Sequence, residues 1–318
     1  MRLTEALQAA GYPVALYETI EFLRAPNPDF DAYVFHHPSL DYPQLRNVVT
    51  TLSNLRRALI SDWDLPLFCD EIYGAEQMSR TDGDEPRRTT DYVAALKLFP
   101  RLSTATAPLT ELASLYQPDV ELMTVPETIS TRQKALADVL QVPVTARNPK
   151  SIGYVVRNEL AAEDFRSVHD VVFKILCEDP ECQFTFFGSL EASGPITRHP
   201  RVSFEPALSA SGPELDLTKV ACVIEPHANV TRDRCATRLG FLQASLAGCQ
   251  YIATPFPDLN ALKAPNLKLA TDLEEWHSHI RSAFTQAKSV RTQRSAASYV
   301  KKNHSATAAL SNLQTLLS

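Results

Sequence analysis

Apolar and polar positions follow two alternating rhythms along this chain. Short apolar runs at Phe30–Phe35, Leu59–Ser61, Leu102–Thr104, Glu121–Val125, Ser151–Val156, Gln183–Phe187, Val202–Phe204, Val220–Ile224, Tyr251–Ala253 and Leu267–Ala270 predict strands. Segments with helical spacing predict helices at Pro43–Ala58, Thr90–Phe99, Ala107–Leu115, Val168–Glu178, Cys235–Ala247 and Asp272–Gln286. Thr106 and Pro108 start the third of these. Val171, Val172, Ile175 and Leu176 give the fourth an apolar face. Gly248 stops the fifth, and Thr271 or Asp272 caps the sixth. Ahead of all this, residues 2–10 predict a helix with Leu3, Leu7 and Ala10 on one face, ended by Gly11, and Tyr12–Tyr17 a strand. Two helical segments are expected to close the chain.

Strands alternating with helices build parallel α/β sheets. The alternation is interrupted by VPVTARNPK at 142–150, a linker by composition, and restarts beyond it. The expected organisation is therefore residues 1–145, residues 146–295, and a C-terminal helix over 296–318. A polar stretch at 70–88 reads as a surface loop, and Asp164 as a helix cap.

Composition narrows the function. The 318 residues carry a net charge of -6, with no Lys/Arg block, which argues against a dedicated nucleic-acid binder. No run approaches the roughly 18 apolar residues of a membrane span, and the N-terminus lacks the apolar core of a signal peptide. The six cysteines are scattered, with no CxxC pair, so they read as free buried thiols of a cytoplasmic protein.

The stretch Val220–Leu259 is the centre of the reading. It runs strand, polar loop, helix, strand, with the loop and helix start beyond the carboxyl end of the first strand. Open α/β sheets bind ligands there, and a helix N-terminus offers free N–H groups to a phosphate.

Taken together, the motifs resemble bacterial GT-B glycosyltransferases, in particular the group 1, retaining type that assembles surface polysaccharides. RLTEALQAAGYPVALYE looks like that family's first helix and second strand, with the first strand missing and the N-terminal domain therefore shortened. DAYVFHHP is similar to its acceptor-side strand, LISDWDLPLF to an aspartate-rich segment, and LSTATAPLTELA to the next strand and helix. IGYVVRNELAAEDF with ILCEDPECQFTFFGS resembles the first βαβ unit of the donor domain, the central stretch its pyrophosphate helix, and LATDLEEWHSHI the last strand and helix. The resemblance implies two Rossmann-like domains with a cleft between them, and a C-terminal helix over 296–318 that packs back on the first domain. It also departs from the family pattern. Gly240 stands where the family carries a Lys, Gln243 where it carries a ribose-binding Glu, and Val156, Glu127 and Leu65 replace a Gly, an Asn and an Asp.

Sugar transfer needs a stabilised leaving diphosphate, a positioned acceptor hydroxyl and a base. With Gly240 uncharged, Arg232, Arg234 or Arg238 is expected to meet the phosphates, with Arg157 at the mouth of the donor domain. Gln243 is the candidate ribose contact, and Glu225, His227 and Asn229 candidate sugar contacts; a solvated face or a turn is the plain alternative for each. His36 and His37, ending a strand before Pro38, and Asp62 and Asp64, ending another, are the catalytic candidates on the acceptor side. Trp63 and Trp276 read as packing residues. DWD also spells a metal-binding DxD, but the surrounding order is GT-B, so neither metal nor cofactor is expected.

The expected activity is metal-independent transfer from a nucleotide-sugar to a glycan or glycolipid acceptor, retaining by resemblance. The expected setting is the cytoplasm, with peripheral attachment at the inner face of the membrane as a variant. The alternative is a non-catalytic glycosyltransferase-like subunit that scaffolds a partner glycosyltransferase. A third reading, an epimerase or phosphosugar enzyme, lacks the early G-x-G-x-x-G that a dinucleotide enzyme would show.

Overall fold

A computed structural model describes residues 4, 7, 8, 10–69, 89–139, 147–157, 161–190, 195–209, 212–228 and 232–306. The chain divides into two units. The first comprises residues 1–127, 231–237 and 306–318, the second 128–230 and 238–305. The change of unit after Glu127 precedes the linker-like composition at 142–150, so helix Thr131–Val139 counts with the second unit.

In the first unit, α1 (Thr19–Arg24) precedes β1 (Ala32–His36), α2 (Leu45–Asn54) and β2 (Ala58–Trp63). Then come α3 (Thr89–Leu96), β3 (Arg101–Thr104), α4 (Ala107–Tyr116) and β4 (Glu121–Thr124). The four strands pair in parallel in the order β1-β2-β3-β4. Trp63, Phe68, Phe99 and Leu102 are buried in its core, with Leu45 and Leu52 from α2. Tyr12–Tyr17 forms no strand. Its alternation of apolar residues has no pairing partner, Tyr12, Leu16 and Tyr17 are exposed, and Pro13 cannot donate to a ladder. The polar stretch expected at 70–88 and most of the helix expected at 2–10 lie outside the described residues.

The second unit runs α5 (Thr131–Val139), β5 (Ser151–Val155), α6 (Ala161–Arg166), α7 (His169–Glu178), β6 (Gln183–Phe187) and β7 (Val202–Glu205). It continues through α8 (Pro213–Leu217), β8 (Cys222–Glu225), α9 (Leu239–Leu246), β9 (Gln250–Ala253), α10 (Pro257–Asn260), β10 (Leu267–Leu269), α11 (Leu273–Gln286) and α12 (Val290–Asn303). Its six strands are parallel in the order β10-β9-β8-β5-β6-β7. Read from β7, that is the doubly wound order 3-2-1-4-5-6, with the switch point between β5 and β8. The central strands β5, β8 and β9 are buried almost throughout and mostly apolar, as expected of parallel strands covered on both faces, whereas the edge strands β7 and β10 are partly exposed.

Several corrections to the sequence reading follow. Asp164 lies inside α6 rather than at a helix start: Val168 is the N-cap of α7, and the Asp164 carboxylate accepts the Ala228 N–H at 3.0 Å. The helix expected from Cys235 begins at Leu239, because Arg232–Cys235 forms a 3-10 turn that packs in the first unit. There Thr106, the N-cap of α4, donates its hydroxyl to the Cys235 carbonyl at 3.4 Å. Helix α12 packs against α9 within the second unit, and residues 307–318, over which the expected C-terminal helix would end, lie outside the described residues.

The far end of α9 is fixed by charge. Gly248 takes φ +72°, the left-handed C′ position that favours glycine. Buried Arg147 donates from Nη1 to the Gly248 carbonyl at 2.8 Å, from Nε to Thr218 at 3.1 Å and from Nη2 to Ala247. A guanidinium beside the last carbonyls complements the negative end of the helix dipole. Among the described residues no helix is long and apolar enough to cross a membrane.

Candidate functional site

The switch point of the second sheet places its own chemistry. β5 and β8 are hydrogen-bonded neighbours, with Tyr154 opposite Ile224. The chain leaves β5 through Val156 to Arg157, and β8 ends at Glu225. The two side chains meet there: Arg157 Nε lies 3.7 Å from Glu225 Oε1. From the other side, α9 presents Gln243, whose Oε1 accepts from Arg157 Nη2 at 3.0 Å. Arg157, Glu225 and Gln243 thus form one group at the carboxyl ends of the two strands where ligands enter such sheets.

Gly240 explains why they can meet. A Cβ at that position would lie 2.5 Å from Tyr251 Oη, 3.0 Å from Arg157 Nη2 and 3.2 Å from Glu225 Oε2. The missing side chain is therefore not a gap: the Tyr251 hydroxyl and the Arg157 guanidinium crowd the place a Cβ would take. Arg157 thus brings a cation to Gly240, besides the nearby Arg232, Arg234 and Arg238 expected from the sequence. Tyr251 Oη and Glu225 Oε2 are buried there with no hydrogen-bond partner among the described residues, although buried polar groups are normally satisfied. Both face the first turn of α9, whose leading amides have no intrahelical acceptor; the ladder begins with Leu242 N–H to Arg238 O at 3.0 Å.

The remaining donor-side candidates separate. Arg238 is the N-cap of α9, and its guanidinium is taken by Asp258, with Nε 3.0 Å from both carboxylate oxygens. Its backbone N–H also reaches Asp258 Oδ2 at 2.8 Å, and its Nη1 lies 3.4 Å from His304 Nδ1. Burial, and then the neighbouring guanidinium, lower the His304 pKa to about 4. Arg234 is exposed on the 3-10 turn and pairs with exposed Glu111 at 3.3 Å, both in the first unit. Arg232 belongs to the same turn. His227 follows β8; Thr254 Oγ1 accepts its backbone N–H at 3.0 Å, and its ring packs edge-on against Phe256 at 5.2 Å. Asn229 lies outside the described residues.

In the first unit the four catalytic candidates come together. β1 and β2 pair with His36 opposite Asp62, and His36 Nδ1 lies 3.1 Å from Asp62 Oδ2. His37 Nε2 lies 2.6 Å from Asp64 Oδ1, and His36 Nε2 lies 4.0 Å from the same oxygen. Asp62 is buried inside β2 rather than at its end, and accepts from the hydroxyl of Ser103 on β3. Sequence reasoning missed Ser103: only strand register reveals it, by pairing Asp62 with Ser103. Trp63 and Trp276 are buried packing residues.

No family model matches the chain, and no curated protein matches it in sequence. Solved structures do match in fold. An alpha-glucosyltransferase in complex with UDP-glucose and DNA containing an abasic site superposes with a TM-score of 0.65 at 10% identity, over 94% of this chain and 82% of that one. The alpha,alpha-trehalose-phosphate synthase (UDP-forming) from Burkholderia xenovorans, in complex with glucose-6-phosphate, gives 0.59 at 11% identity, over 94% and 75%. Anabaena HepE in complex with UDP and glucose gives 0.58 at 13% identity, over 98% and 87%. These neighbours are GT-B glycosyltransferases, and this chain shares their fold: two Rossmann-like domains, each on a parallel sheet.

Proposed function

We propose that the protein is a glycosyltransferase that takes a nucleotide-sugar as donor and a glycan or glycolipid as acceptor, in the assembly of bacterial polysaccharide or glycoconjugate. The observation that carries this reading is the group of Arg157, Glu225 and Gln243 gathered over Gly240 at the switch point of the second sheet. A guanidinium has five N–H donors. Glu225 and Gln243 orient Arg157 and leave its Nη1 without a partner among the described residues. A departing diphosphate would meet that guanidinium and the first amides of α9, two sources of positive potential fixed before the bond breaks. Charge that guanidinium and amides supply needs no metal at the diphosphate, which supports the metal-independent reading. The orphaned Tyr251 hydroxyl and Glu225 carboxylate are suited to donor hydroxyls. Retention of configuration is part of the proposal by resemblance, as is work at the inner face of the membrane.

The test is a melting-temperature titration with UDP, GDP and CMP. A ligand that binds only the folded state stabilises it by about 2.7 kcal/mol at a hundredfold excess over Kd. One nucleotide should raise Tm in the native chain, and Arg157→Ala should abolish that rise while melting normally without ligand. No shift with any nucleotide would move the chain to the scaffold reading.

A further inference from the structure

Neighbouring residues of a strand point to opposite faces. His36 and His37 do not: His37 adopts φ +45°, a left-handed conformation uncommon for a residue with a side chain. That turn swings the second imidazole back beside the first, with ring centroids 3.9 Å apart and planes inclined by 25°. Backbone strain of this kind gathers at functional sites. Here its product is the convergence of His36 Nε2, His37 Nε2 and Asp64 Oδ1, all within 4.8 Å of one another.

We propose that His36, His37 and Asp64 form a binding site for a divalent transition-metal ion, Zn2+ by preference, with Asp62 as its outer carboxylate. Two imidazoles and one carboxylate are the ligand types that zinc takes, and three protein ligands leave a fourth position for an exchangeable oxygen. Donors on a tetrahedral zinc stand about 3.3 Å apart, given metal–ligand distances of about 2.0–2.1 Å. The separations from Asp64 Oδ1 are 2.6 Å for His37 Nε2 and 4.0 Å for His36 Nε2, and the Asp64 N–H donates to His37 Nε2 at 3.3 Å, so closing the set takes a shift of Asp64 and His37 that gives up this bond while His36 keeps its Asp62 contact. The second layer is already built. A metal-bound histidine commonly donates its other ring nitrogen to a carboxylate, which fixes the tautomer. His36 has Asp62 3.1 Å from Nδ1, and Asp62 is held in turn by the Ser103 hydroxyl. With Nδ1–H facing Asp62, the Nε2 lone pair is the one left toward Asp64. The fourth position would take water or a hydroxyl oxygen. This ion is additional to the metal-free diphosphate contact above and does not depend on it: zinc titration tests one, nucleotide titration the other.

The experiment is calorimetric titration of the chelator-treated full chain with Zn2+, with Co2+ absorbance as a probe of coordination, on a Cys177→Ser background that removes the exposed thiol. One equivalent should bind per chain. His37→Gly removes a ligand while suiting the positive φ, so the fold is kept, and binding should be lost. Asp64→Ala should lose it as well. Asp62→Asn should keep the stoichiometry and weaken affinity about 10–100-fold. Failure of the native chain to bind a stoichiometric ion, or unchanged affinity in His37→Gly, overturns the proposal.

Discussion

Arg238 is bound to Asp258: its Nε sits 3.0 Å from both carboxylate oxygens, and its own amide donates to one of them. Both side chains are largely buried. Breaking one partner of such a pair strands the other charge and costs about 3–5 kcal/mol. Asp258→Ala should therefore lower the urea midpoint sharply. Arg238→Ala should do likewise, and nucleotide affinity measured on its folded fraction should fall less than in Arg157→Ala. The reverse ranking in a titration of the two variants would return the phosphate contact to Arg238.

Gly240 is expected to tolerate no side chain. A Cβ there meets Tyr251 Oη at 2.5 Å, on a fully buried ring, and the Arg157 guanidinium at 3.0 Å. Overpacking of this kind costs about 1–3 kcal/mol. Gly240→Ala should lower the melting temperature and, by displacing Arg157, also reduce the nucleotide-induced rise. Equal ligand response in both chains would separate Gly240 from the site.

Gln243→Ala tests the orientation of Arg157 without touching the core. Gln243 is half-buried and its amide oxygen holds Nη2. The variant should leave ligand-free stability within about 0.5 kcal/mol and weaken nucleotide binding severalfold in calorimetry.

His304 makes stability depend on pH in a definite direction. Its pKa is about 4 in the fold against 6.5 ordinarily, chiefly because burial disfavours the cation, with Arg238 adding repulsion and Asp258 opposing it. The unfolded chain therefore binds the proton first. Stability is full above pH 6.5 and declines as pH falls from 6.5 toward 4, by up to about 3 kcal/mol. Its Nδ1 also lies 3.4 Å from Arg238 Nη1, a contact that needs an unprotonated nitrogen. His304→Gln keeps an acceptor that cannot ionise. Urea unfolding at pH 7 and pH 4.5 should show a smaller difference for this variant than for the native chain.

The helix that opens the second unit shows what local signals can and cannot reach. α5 follows a reciprocal cap: Ser130 Oγ accepts the Gln133 N–H at 2.8 Å, while Gln133 Oε1 accepts the Ser130 N–H at 2.9 Å. That S-x-x-Q spelling stands in the sequence and marks a helix start, yet the apolar pattern alone predicts no helix there. Tyr12–Tyr17 is the opposite case. Its alternation matches a strand, but a strand exists only with a neighbour to pair with, and the pattern holds no information about neighbours.

By itself the sequence determined the βα alternation, the parallel character of both sheets, the stop at Gly248 and the cap at Thr106, and it narrowed the later cap to Thr271 or Asp272. These are consequences of period, turn chemistry and helix ends, all of which act over a few residues. Only the tertiary structure decided which charges stand where. Arg157 reaches Gly240 from 83 positions away, Arg238 is neutralised by Asp258, and His36 finds Asp62 through strand register. Ion pairs and side-chain contacts form between residues that the fold makes neighbours. Their partners are fixed by the order in which strands assemble into a sheet, which no local pattern encodes.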